Sequence, residues 1–287
     1  MNGVRLYFDV AGAGLEPDGP RLRAKPTLIL LHGGPGYDHS EFKPGFYALA
    51  DVAQVVFLDH RGNGRSDDGP FERHTLAQWS DDVVAFCDAL EIEAPIVYGF
   101  SFGGFVAQRV AVNHPARLSG LILASTAARN VPERRYRAFE RLGGPEARAA
   151  AERFFGGGID EPDAIAAWER HCLPLYNTTP GDPEADARTV FRPATMRHFF
   201  GRGRKERGRV NFLPELARVR APTLILAGAE DPVTTIEDME EVRDHLPPHL
   251  VRYHAIANAG HGTHVDAPEI TVALIRAFIR DIAGSAA

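Results

Sequence analysis

Short, almost unbroken apolar runs recur along the chain, and each gives way to glycine or polar residues. They lie at residues 27–31 (TLILL), 55–58 (VVFL), 95–100 (PIVYGF), 118–124 (LSGLILA) and 222–228 (PTLILAG). A strand that is apolar on both sides needs cover on both faces, which is the pattern of parallel sheets rather than half-exposed antiparallel ones. The runs therefore predict a mostly parallel sheet between two helical layers.

Helical segments alternate with these runs. After Thr75, apolar residues recur at a spacing that places them on one face of a helix. They are Leu76, Trp79, Val83, Phe86 and Leu90. Residues 102–113 and 269–279 predict two further helices, while Val4–Val10 and 250–256 predict outer strands. The repeated order of strand, helix and strand predicts an α/β three-layer sandwich.

Two stretches interrupt this order. Residues 11–26 are rich in glycine and proline and predict a turn region. Residues 127–213 contain no strand-like run, and a segment of that length is too long for a loop. We expect this segment to be a helical cap subdomain inserted into a core formed by residues 1–126 and 214–287.

Composition narrows the classes of function. A formal net charge of −6 without a dominant basic face argues against binding to nucleic acid. No apolar run is long enough to span a bilayer, and the N-terminus lacks the pattern of a secretory signal. Cys87 and Cys172 have no metal-like spacing. These features predict a cytoplasmic protein that uses neither metal nor membrane.

The sequence GFSFG at residues 99–103 places Ser101 between a predicted buried strand and a predicted helix. This is the context that the G-x-S-x-G nucleophile elbow requires. Gly99 and Gly103 permit a turn too tight for side chains, and the helix N-terminus favours developing negative charge. Ser101 is therefore the predicted nucleophile.

A serine hydroxyl needs a base that accepts its proton and a carboxylate that orients that base. We assign the base to His261, in a glycine-flanked loop after the last predicted strand, rather than to the nearby His264. We assign the carboxylate to Asp231, which follows the run at 222–228, rather than to Glu230. The predicted residues follow one another along the chain in the order Ser, Asp and His, the order expected for the partners of a G-x-S-x-G serine.

An oxyanion hole needs two N–H donors beside the nucleophile. The loop HGGPG at residues 32–36 follows a predicted strand, and its glycines allow close approach of the backbone to a ligand. We predict that the amides of Gly34 and Phe102 form the hole and that His32 organises the loop. No phosphate-binding or dinucleotide-binding glycine motif is present, so no cofactor is expected.

The chain resembles the α/β-hydrolase superfamily over most of its length. HGGPG together with DHRGNGRS at residues 59–66 is similar to the proline iminopeptidase-like branch. The resemblance implies a helical cap after the sixth strand and an oxyanion hole shaped by the HGGPG loop. It also implies structural roles for Asp59 and Arg61.

Some positions depart from the iminopeptidases. Phe102 stands where they usually have tryptophan, and the loop AGAEDPVT (227–234) has the form found in esterases and C–C hydrolases. The aminopeptidase activity of that branch depends on cap glutamates that bind the substrate's ammonium group. The segment 127–213 offers many acids, and the sequence marks no two of them as ligands. They include Glu152, Asp160, Glu161, Asp163 and Glu169.

The sequence therefore predicts a serine hydrolase that cleaves an ester or amide of a small molecule through an acyl-enzyme. The alternatives are an iminopeptidase-like aminopeptidase or amino-acid amidase, a C–C bond hydrolase, and a ligand-binding protein of the same fold. Trp168 and Tyr176, with Phe199 and Phe200, are candidates for either a substrate pocket or cap packing. The basic run 201–209 is predicted to be a solvated loop. The sequence leaves the substrate and the oligomeric state open.

Overall fold

The structure, a computed structural model, describes residues 1–201, 205–208 and 210–285. Its strands are β1 (Phe8–Ala11), β2 (Leu15–Asp18), β3 (Arg21–Ala24), β4 (Thr27–Leu31), β5 (Gln54–Leu58), β6 (Ile96–Phe100), β7 (Gly120–Ala124), β8 (Thr223–Gly228) and β9 (Val251–Ile256). Seven of them form a main sheet in the order β1-β5-β4-β6-β7-β8-β9. β1 is antiparallel to β5, and the other neighbours are parallel. The prediction of a mostly parallel sheet is confirmed.

Helices connect and cover these strands. They are α1 (Leu76–Ala89), α2 (Phe102–Asn113), α3 (Pro132–Phe155), α4 (Pro162–His171), α5 (Pro183–Arg188), α6 (Pro193–Phe200), α7 (Lys205–Gly208), α8 (Leu213–Leu216), α9 (Ile236–His245), α10 (Thr263–Asp266) and α11 (Pro268–Ser285). Short 3-10 helices span His39–Phe42, Gly45–Leu49, Phe71–Arg73, Gly158–Asp160, Leu173–Leu175 and Pro248–Leu250. Thr75 caps α1, because its side chain accepts a hydrogen bond from the Gln78 amide.

The two faces of the sheet bury alternate residues of each central strand. In β4, Ile29 and Leu31 pack into the cluster that α1, α2 and α9 cover. Leu28 and Leu30 pack into a second cluster with Phe278 of α11. This period of two is the geometry of a pleated strand. It explains why the runs are apolar at every position, and it confirms the three-layer sandwich.

The N-terminal region differs from the prediction of one strand at Val4–Val10 followed by a turn region. Arg5 and Tyr7 bond with the loop after β5 instead, since their amides donate to Asp67 and Ser66. The strand therefore begins at Phe8. The turn region contains the hairpin of β2 and β3, which pair with each other. Every residue of β3 is exposed, so no apolar alternation signals this strand in the sequence.

Between β7 and β8 the described residues form helices α3 to α8 and no strand. An isolated bridge between Arg129 and Asn211 joins the two ends of this inserted segment (residues 127–213). The insertion lies between β7, the strand that follows α2, and β8. α3 is kinked at Gly144, which has a φ of 77° and precedes Pro145.

The order of strands positions the loops that follow them. From β4 the chain passes to β5 on one side and then to β6 on the other, which is a topological switch point. Open α/β sheets bind ligands in the crevice that such a switch creates. Leu31 of β4 is in register with Gly99 of β6, so the loops after these strands are neighbours.

No helix within the described ranges is both long and apolar enough to cross a membrane. Of the basic run 201–209, residues 202–204 and 209 lie outside the described part of the chain. The run contributes the short helix α7, and the Glu206 carboxylate accepts a hydrogen bond from the Leu76 amide at 2.7 Å.

Candidate active site

Ser101 lies in a sharp turn between β6 and α2. Its φ of 51° and ψ of −114° are rare for a residue with a side chain, so the turn is strained. The flanking glycines allow it. A Cβ atom on Gly103 would lie 2.1 Å from the Leu31 carbonyl oxygen, and one on Gly99 would lie 2.5 Å from the Gly103 oxygen. Only glycine fits at either position without moving backbone.

The structure brings Ser101, His261 and Asp231 together. His261 Nε2 lies 3.0 Å from Ser101 Oγ, and His261 Nδ1 lies 2.8 Å from Asp231 Oδ2. With the Nδ1 proton donated to the carboxylate, Nε2 is left free to accept the serine proton. The geometry is that of a nucleophile, a base and an orienting acid.

Asp231 is held by hydrogen bonds from its own loop. Its Oδ1 atom accepts from the amides of Val233 at 2.7 Å and Thr234 at 3.1 Å, and its Oδ2 atom accepts from the Thr234 hydroxyl at 2.8 Å. The residue is only 2% exposed. The neighbouring Glu230 pairs with Arg141 at the surface instead.

The loop that carries His261 is fixed by the inserted segment. The His261 amide donates to the Tyr176 carbonyl at 2.6 Å, and the Gly262 amide donates to Asn177 Oδ1 at 2.8 Å. Asp266 accepts from the Gly260 amide and from Thr179. Because β7 and β8 separate this loop from β6, contacts outside the sheet are needed to hold the imidazole over Ser101.

His264 is placed away from the relay. Its ring packs against Phe42, Phe46 and Phe100, and neither ring nitrogen has a hydrogen-bond partner in the described part of the chain. Burial lowers the pKa of His264 to about 4. His264 is therefore neutral at neutral pH and packs among aromatic residues.

The HGGPG loop is held by side chains on both sides of Gly34. His32 Nδ1 bonds to the Gly33 carbonyl at 2.7 Å, the Gly33 amide donates to Glu41 at 2.8 Å, and the Gly36 amide donates to Asn63 at 2.5 Å. Gly34 itself has a φ of 116°, which favours glycine.

The two amides predicted to form the oxyanion hole have no other partner. Within the described residues, the N–H groups of Gly34 and Phe102 have no hydrogen-bond acceptor. The amide of Gly33 cannot serve, because Glu41 already occupies it. The arrangement leaves Gly34 and Phe102 as the candidate oxyanion donors.

Glu41, Asn63 and Thr234 are site residues that the sequence did not indicate. Asn63 and Thr234 act from loops and Glu41 acts from the 3-10 helix His39–Phe42, and no apolar periodicity marks these positions. Burial raises the pKa of Glu41 to about 8. Glu41 therefore holds the Gly33 amide as a neutral carboxyl group at neutral pH.

The aromatic candidates separate into site and core. Tyr176 contacts His261 edge to face, with ring centres 5.5 Å apart. Trp168 lies behind it, in contact with Tyr176 at 5.6 Å and stacked on Phe154. Phe199 is fully buried against Trp79 and Phe102, so it packs in the core. Phe200 also packs against that core.

Several acids of the inserted segment face solvent and pair with arginines. Glu152 pairs with Arg148, Glu161 with Arg153, and Asp160 with Arg197. Two more acids, Asp163 and Glu169, are exposed.

Asp59 and Arg61 belong to buried networks. Arg61 forms a forked pair with Asp82 at 2.7 and 2.8 Å. Asp59, Asp38 and His39 bring potential metal-ligating atoms within 4.8 Å of one another. Arg65 donates to both carboxylates, from its amide and from its guanidinium, and His39 donates to Asp59. These oxygens are engaged by hydrogen-bond donors, which makes the cluster an ion-pair network.

Comparison with known proteins supports a hydrolase. The family described as α/β hydrolase fold matches residues 26–268. Among curated proteins, the chain is 28% identical to 3-oxoadipate enol-lactonase 1 of Acinetobacter baylyi, over 88% of this chain and 89% of the relative. It is 26% identical to the proline iminopeptidase of Lactobacillus helveticus, over 96% and 95%.

Among solved structures, the proline iminopeptidase of Mycobacterium smegmatis superposes with a TM-score of 0.78. It is 26% identical, and the match covers 99% of this chain and 97% of that one. The resemblance to the iminopeptidase-like branch, which the HGGPG loop indicates, is confirmed.

Proposed function

This chain belongs to the α/β-hydrolase fold family, and we propose that it is a serine hydrolase that cleaves an ester or amide bond of a small molecule. The observation that carries the proposal is the hydrogen-bonded relay of Ser101, His261 and Asp231. Its two distances are 3.0 and 2.8 Å.

In the proposed reaction, Ser101 Oγ attacks the substrate carbonyl carbon while its proton passes to His261 Nε2. The tetrahedral intermediate collapses as the bond to the leaving group breaks, and His261 returns the proton to that group. Water then attacks the acyl-enzyme, again losing a proton to His261, and the acid is released as Ser101 regains its hydrogen. Asp231 holds the imidazole in the tautomer that this sequence needs.

The amides of Gly34 and Phe102 would stabilise the oxyanion of each tetrahedral intermediate. Both N–H groups lack acceptors among the described residues. Donors that are already oriented stabilise charge more effectively than water that must reorganise, and losing one donor typically lowers turnover by about 100-fold or more.

The geometry of the site constrains the type of bond that is cleaved less than it constrains the mechanism. Ester, lactone and amide cleavage use the same steps, and the relatives described above include an enol-lactonase and iminopeptidases. The similarity in structure to an iminopeptidase favours an aminopeptidase as the second candidate. One observation counts against an aminopeptidase. Glu152, Asp160 and Glu161 form ion pairs with arginines at the surface, rather than lying open to bind an ammonium group.

The inserted segment (127–213) is proposed to be the cap, since Tyr176 and Asn177 reach the loop of His261. A cytoplasmic location remains part of the proposal. Cys87 and Cys172 are both free buried thiols, which suits a reducing compartment.

One panel of substrates tests the reaction class. It contains p-nitrophenyl esters of rising acyl length, lactones, and prolyl and other aminoacyl naphthylamides. We expect turnover of short esters and lactones, and covalent labelling of Ser101 by a fluorophosphonate. Folded protein that neither labels nor turns over any substrate would point to a ligand-binding protein, and exclusive aminoacyl amide cleavage would select the aminopeptidase.

A further inference from the structure

A short part of the inserted segment lies against the loop that carries His261. Residues 257–262, here called the histidine loop, join β9 to α10, and residues 176–179 are here called the docking segment. The two backbones approach closely. A Cβ atom on Gly260 would lie 2.2 Å from the Tyr176 carbonyl oxygen, so only glycine fits there without moving backbone.

The sheet by itself does not fix the position of His261. β9 is the edge strand of the main sheet, and β7 and β8 separate it from β6, the strand that precedes Ser101. The histidine loop must therefore reach across two strand ends to the nucleophile. Glycines flank His261 on both sides, and the helix that follows has only four residues. Contacts with another part of the chain are needed to hold such a loop in one place.

Asp266, the last residue of α10, joins the two segments. On the side of the histidine loop, its carboxylate accepts a hydrogen bond from the Gly260 amide at 2.7 Å. On the side of the docking segment, it accepts from the amides of Thr178 and Thr179 at 3.0 and 2.9 Å, and from the Thr179 hydroxyl at 2.6 Å. Hydrogen bonds to an ionised carboxylate are stronger than those between neutral groups.

The surroundings of Asp266 favour its charged form. The residue is half-buried. Burial by itself opposes the charge, but the hydrogen bonds from Thr179, Gly260 and Thr178 outweigh it and lower the pKa of Asp266 from that of an ordinary aspartate. All of these donors are neutral, and they belong to both segments. Separating the docking segment from the histidine loop would leave this carboxylate with part of its donors unmade.

Further hydrogen bonds join the same two segments. The His261 amide donates to the Tyr176 carbonyl at 2.6 Å, and the Thr178 hydroxyl donates to the Asn258 carbonyl at 2.7 Å. The backbone of the base is thus bound directly to the inserted segment. This matters for the chemistry, because a displacement of about 1 Å in a catalytic group can lower a rate by about 100-fold.

We propose that Asp266 is a positioning residue for the reaction, which binds the docking segment to the histidine loop and so keeps the His261 imidazole within proton-transfer distance of Ser101. The proposal rests on the proposed function, since it takes His261 as the base. It gives the inserted segment a role besides that of a cap. This segment sets the rate of proton transfer for every substrate, whatever its acyl group.

The kinetic test compares Asp266→Asn with Asp244→Asn. Asparagine keeps one acceptor oxygen and the volume of the side chain, but it turns an NH2 group towards other donors. We expect Asp266→Asn to lower kcat by about 10- to 100-fold with little change in KM, and by the same factor for p-nitrophenyl acetate and p-nitrophenyl octanoate. Asp244→Asn removes an exposed carboxylate that pairs with Arg243, and it should retain full activity.

A pair of variants tests the other side of the contact. Thr179→Val removes the hydroxyl that donates to Asp266 and keeps the shape of the side chain. It should lower kcat by about three- to tenfold, the effect of one hydrogen bond. Thr179→Ser keeps a hydroxyl and should recover most of that loss. This pair decides the question if Asp266→Asn does not fold, which thermal melts establish.

Three outcomes would refute the positioning role. The first is a folded Asp266→Asn with the kcat of the wild type. The second is a loss that appears mainly in KM or only with the octanoate, because it would indicate binding of substrate and not proton transfer. The third is an equal loss in Thr179→Val and Thr179→Ser, because the hydroxyl would then be irrelevant.

Two measurements separate this proposal from the proposed function. Covalent labelling of Ser101 by a small fluorophosphonate needs the same base, and its rate should fall in Asp266→Asn by the same factor as kcat. By NMR on protein with isotopically labelled histidine, the His261 Nδ1 proton bonded to Asp231 should give a low-field signal that is absent in His261→Gln. We expect this signal to broaden or disappear in Asp266→Asn.

The outcomes of the two measurements differ for the two proposals. A folded wild type that Ser101 labelling leaves unmodified would refute the serine chemistry. An unchanged Nδ1 proton signal in Asp266→Asn would overturn the positioning role, whatever the enzyme hydrolyses. Labelling of the wild type and of Asp266→Asn at equal rates would also overturn it while leaving the serine chemistry in place.

Discussion

The site at the strand ends and the charged surface of the inserted segment use polar residues differently. At the strand ends, Asp231 and His261 are 2% and 6% exposed and bonded to each other. On the inserted segment, Glu152 and Glu161 pair with arginines in solvent. Buried polar groups need partners and are therefore positioned, whereas exposed pairs contribute only about 0–1 kcal/mol each. The comparison teaches that position, and not the number of acids, identifies the candidate site.

The largest expected effect is that of Ser101→Ala. Removing the nucleophile should lower kcat for a p-nitrophenyl ester by about a million-fold. Ser119→Ala makes the same change at the opposite end of the sheet, where the hydroxyl bonds to the Ala94 carbonyl, and should retain activity. Turnover is measured after thermal melts establish that both variants fold. Substantial turnover in Ser101→Ala would contradict the proposal that the site at the strand ends carries out the reaction.

Adjacent acids provide the next contrast. Asp231→Asn should lower kcat by about 10,000-fold, because the amide stabilises the wrong tautomer of His261. Glu230→Gln changes the neighbouring residue, which pairs with Arg141 at the surface, and should stay within about twofold of the wild type. Steady-state kinetics on one ester separates the two. If Glu230→Gln lost more activity than Asp231→Asn, Glu230 and not Asp231 would be the acid that orients His261.

The tight turn at Ser101 can be disrupted by a substitution at a flanking glycine. Alanine at position 103 would place Cβ 2.1 Å from the Leu31 carbonyl oxygen, and no side-chain rotation relieves that contact. We expect Gly103→Ala to lose about 3 kcal/mol or more of unfolding free energy. Gly45→Ala meets nothing within 4 Å and should change stability by less than about 0.5 kcal/mol. Urea unfolding measures both, and equal stabilities would contradict the tight elbow.

A smaller effect is expected from pH. Burial raises the pKa of Glu41 to about 8, from 4.5 for an ordinary glutamate. The folded state keeps a proton that the unfolded chain loses, so this contribution to stability is present below pH 4.5 and disappears as pH rises through about 8. Glu41→Gln keeps an oxygen for the Gly33 amide without titrating.

Urea unfolding from pH 5 to 8 checks this sign. The stability of the wild type relative to Glu41→Gln should decrease steadily as pH rises. Parallel stability curves for the two proteins would mean that Glu41 ionises in the folded state as it does in the unfolded chain.

The smallest effect concerns the inserted segment. Glu152→Gln removes an exposed acid that pairs with Arg148. We expect ester turnover and stability to stay close to those of the wild type, since a surface pair contributes little. If turnover of prolyl naphthylamide, measured in parallel, fell selectively in Glu152→Gln, this acid would become a candidate ammonium ligand.

The sequence was most informative where burial leaves a periodic signal. The helix predicted at 102–113 coincides with α2, and the apolar runs correspond to the central strands. The short hairpin of β2 and β3 gave no such signal because its residues are mostly exposed. The sequence likewise could not indicate Glu41 or Asn63, since each accepts from a backbone amide of the HGGPG loop that no local pattern pairs with it.

By itself, the sequence determined the sheet, its helical layers and the residue types of the candidate relay, because apolar periodicity and glycine-flanked turns are local properties. Only the tertiary structure decided which atoms meet. It placed His261 Nε2 3.0 Å from Ser101 Oγ across 160 positions, and it packed the nearby His264 among aromatic rings. Such contacts depend on strand order and loop packing, which no local pattern encodes.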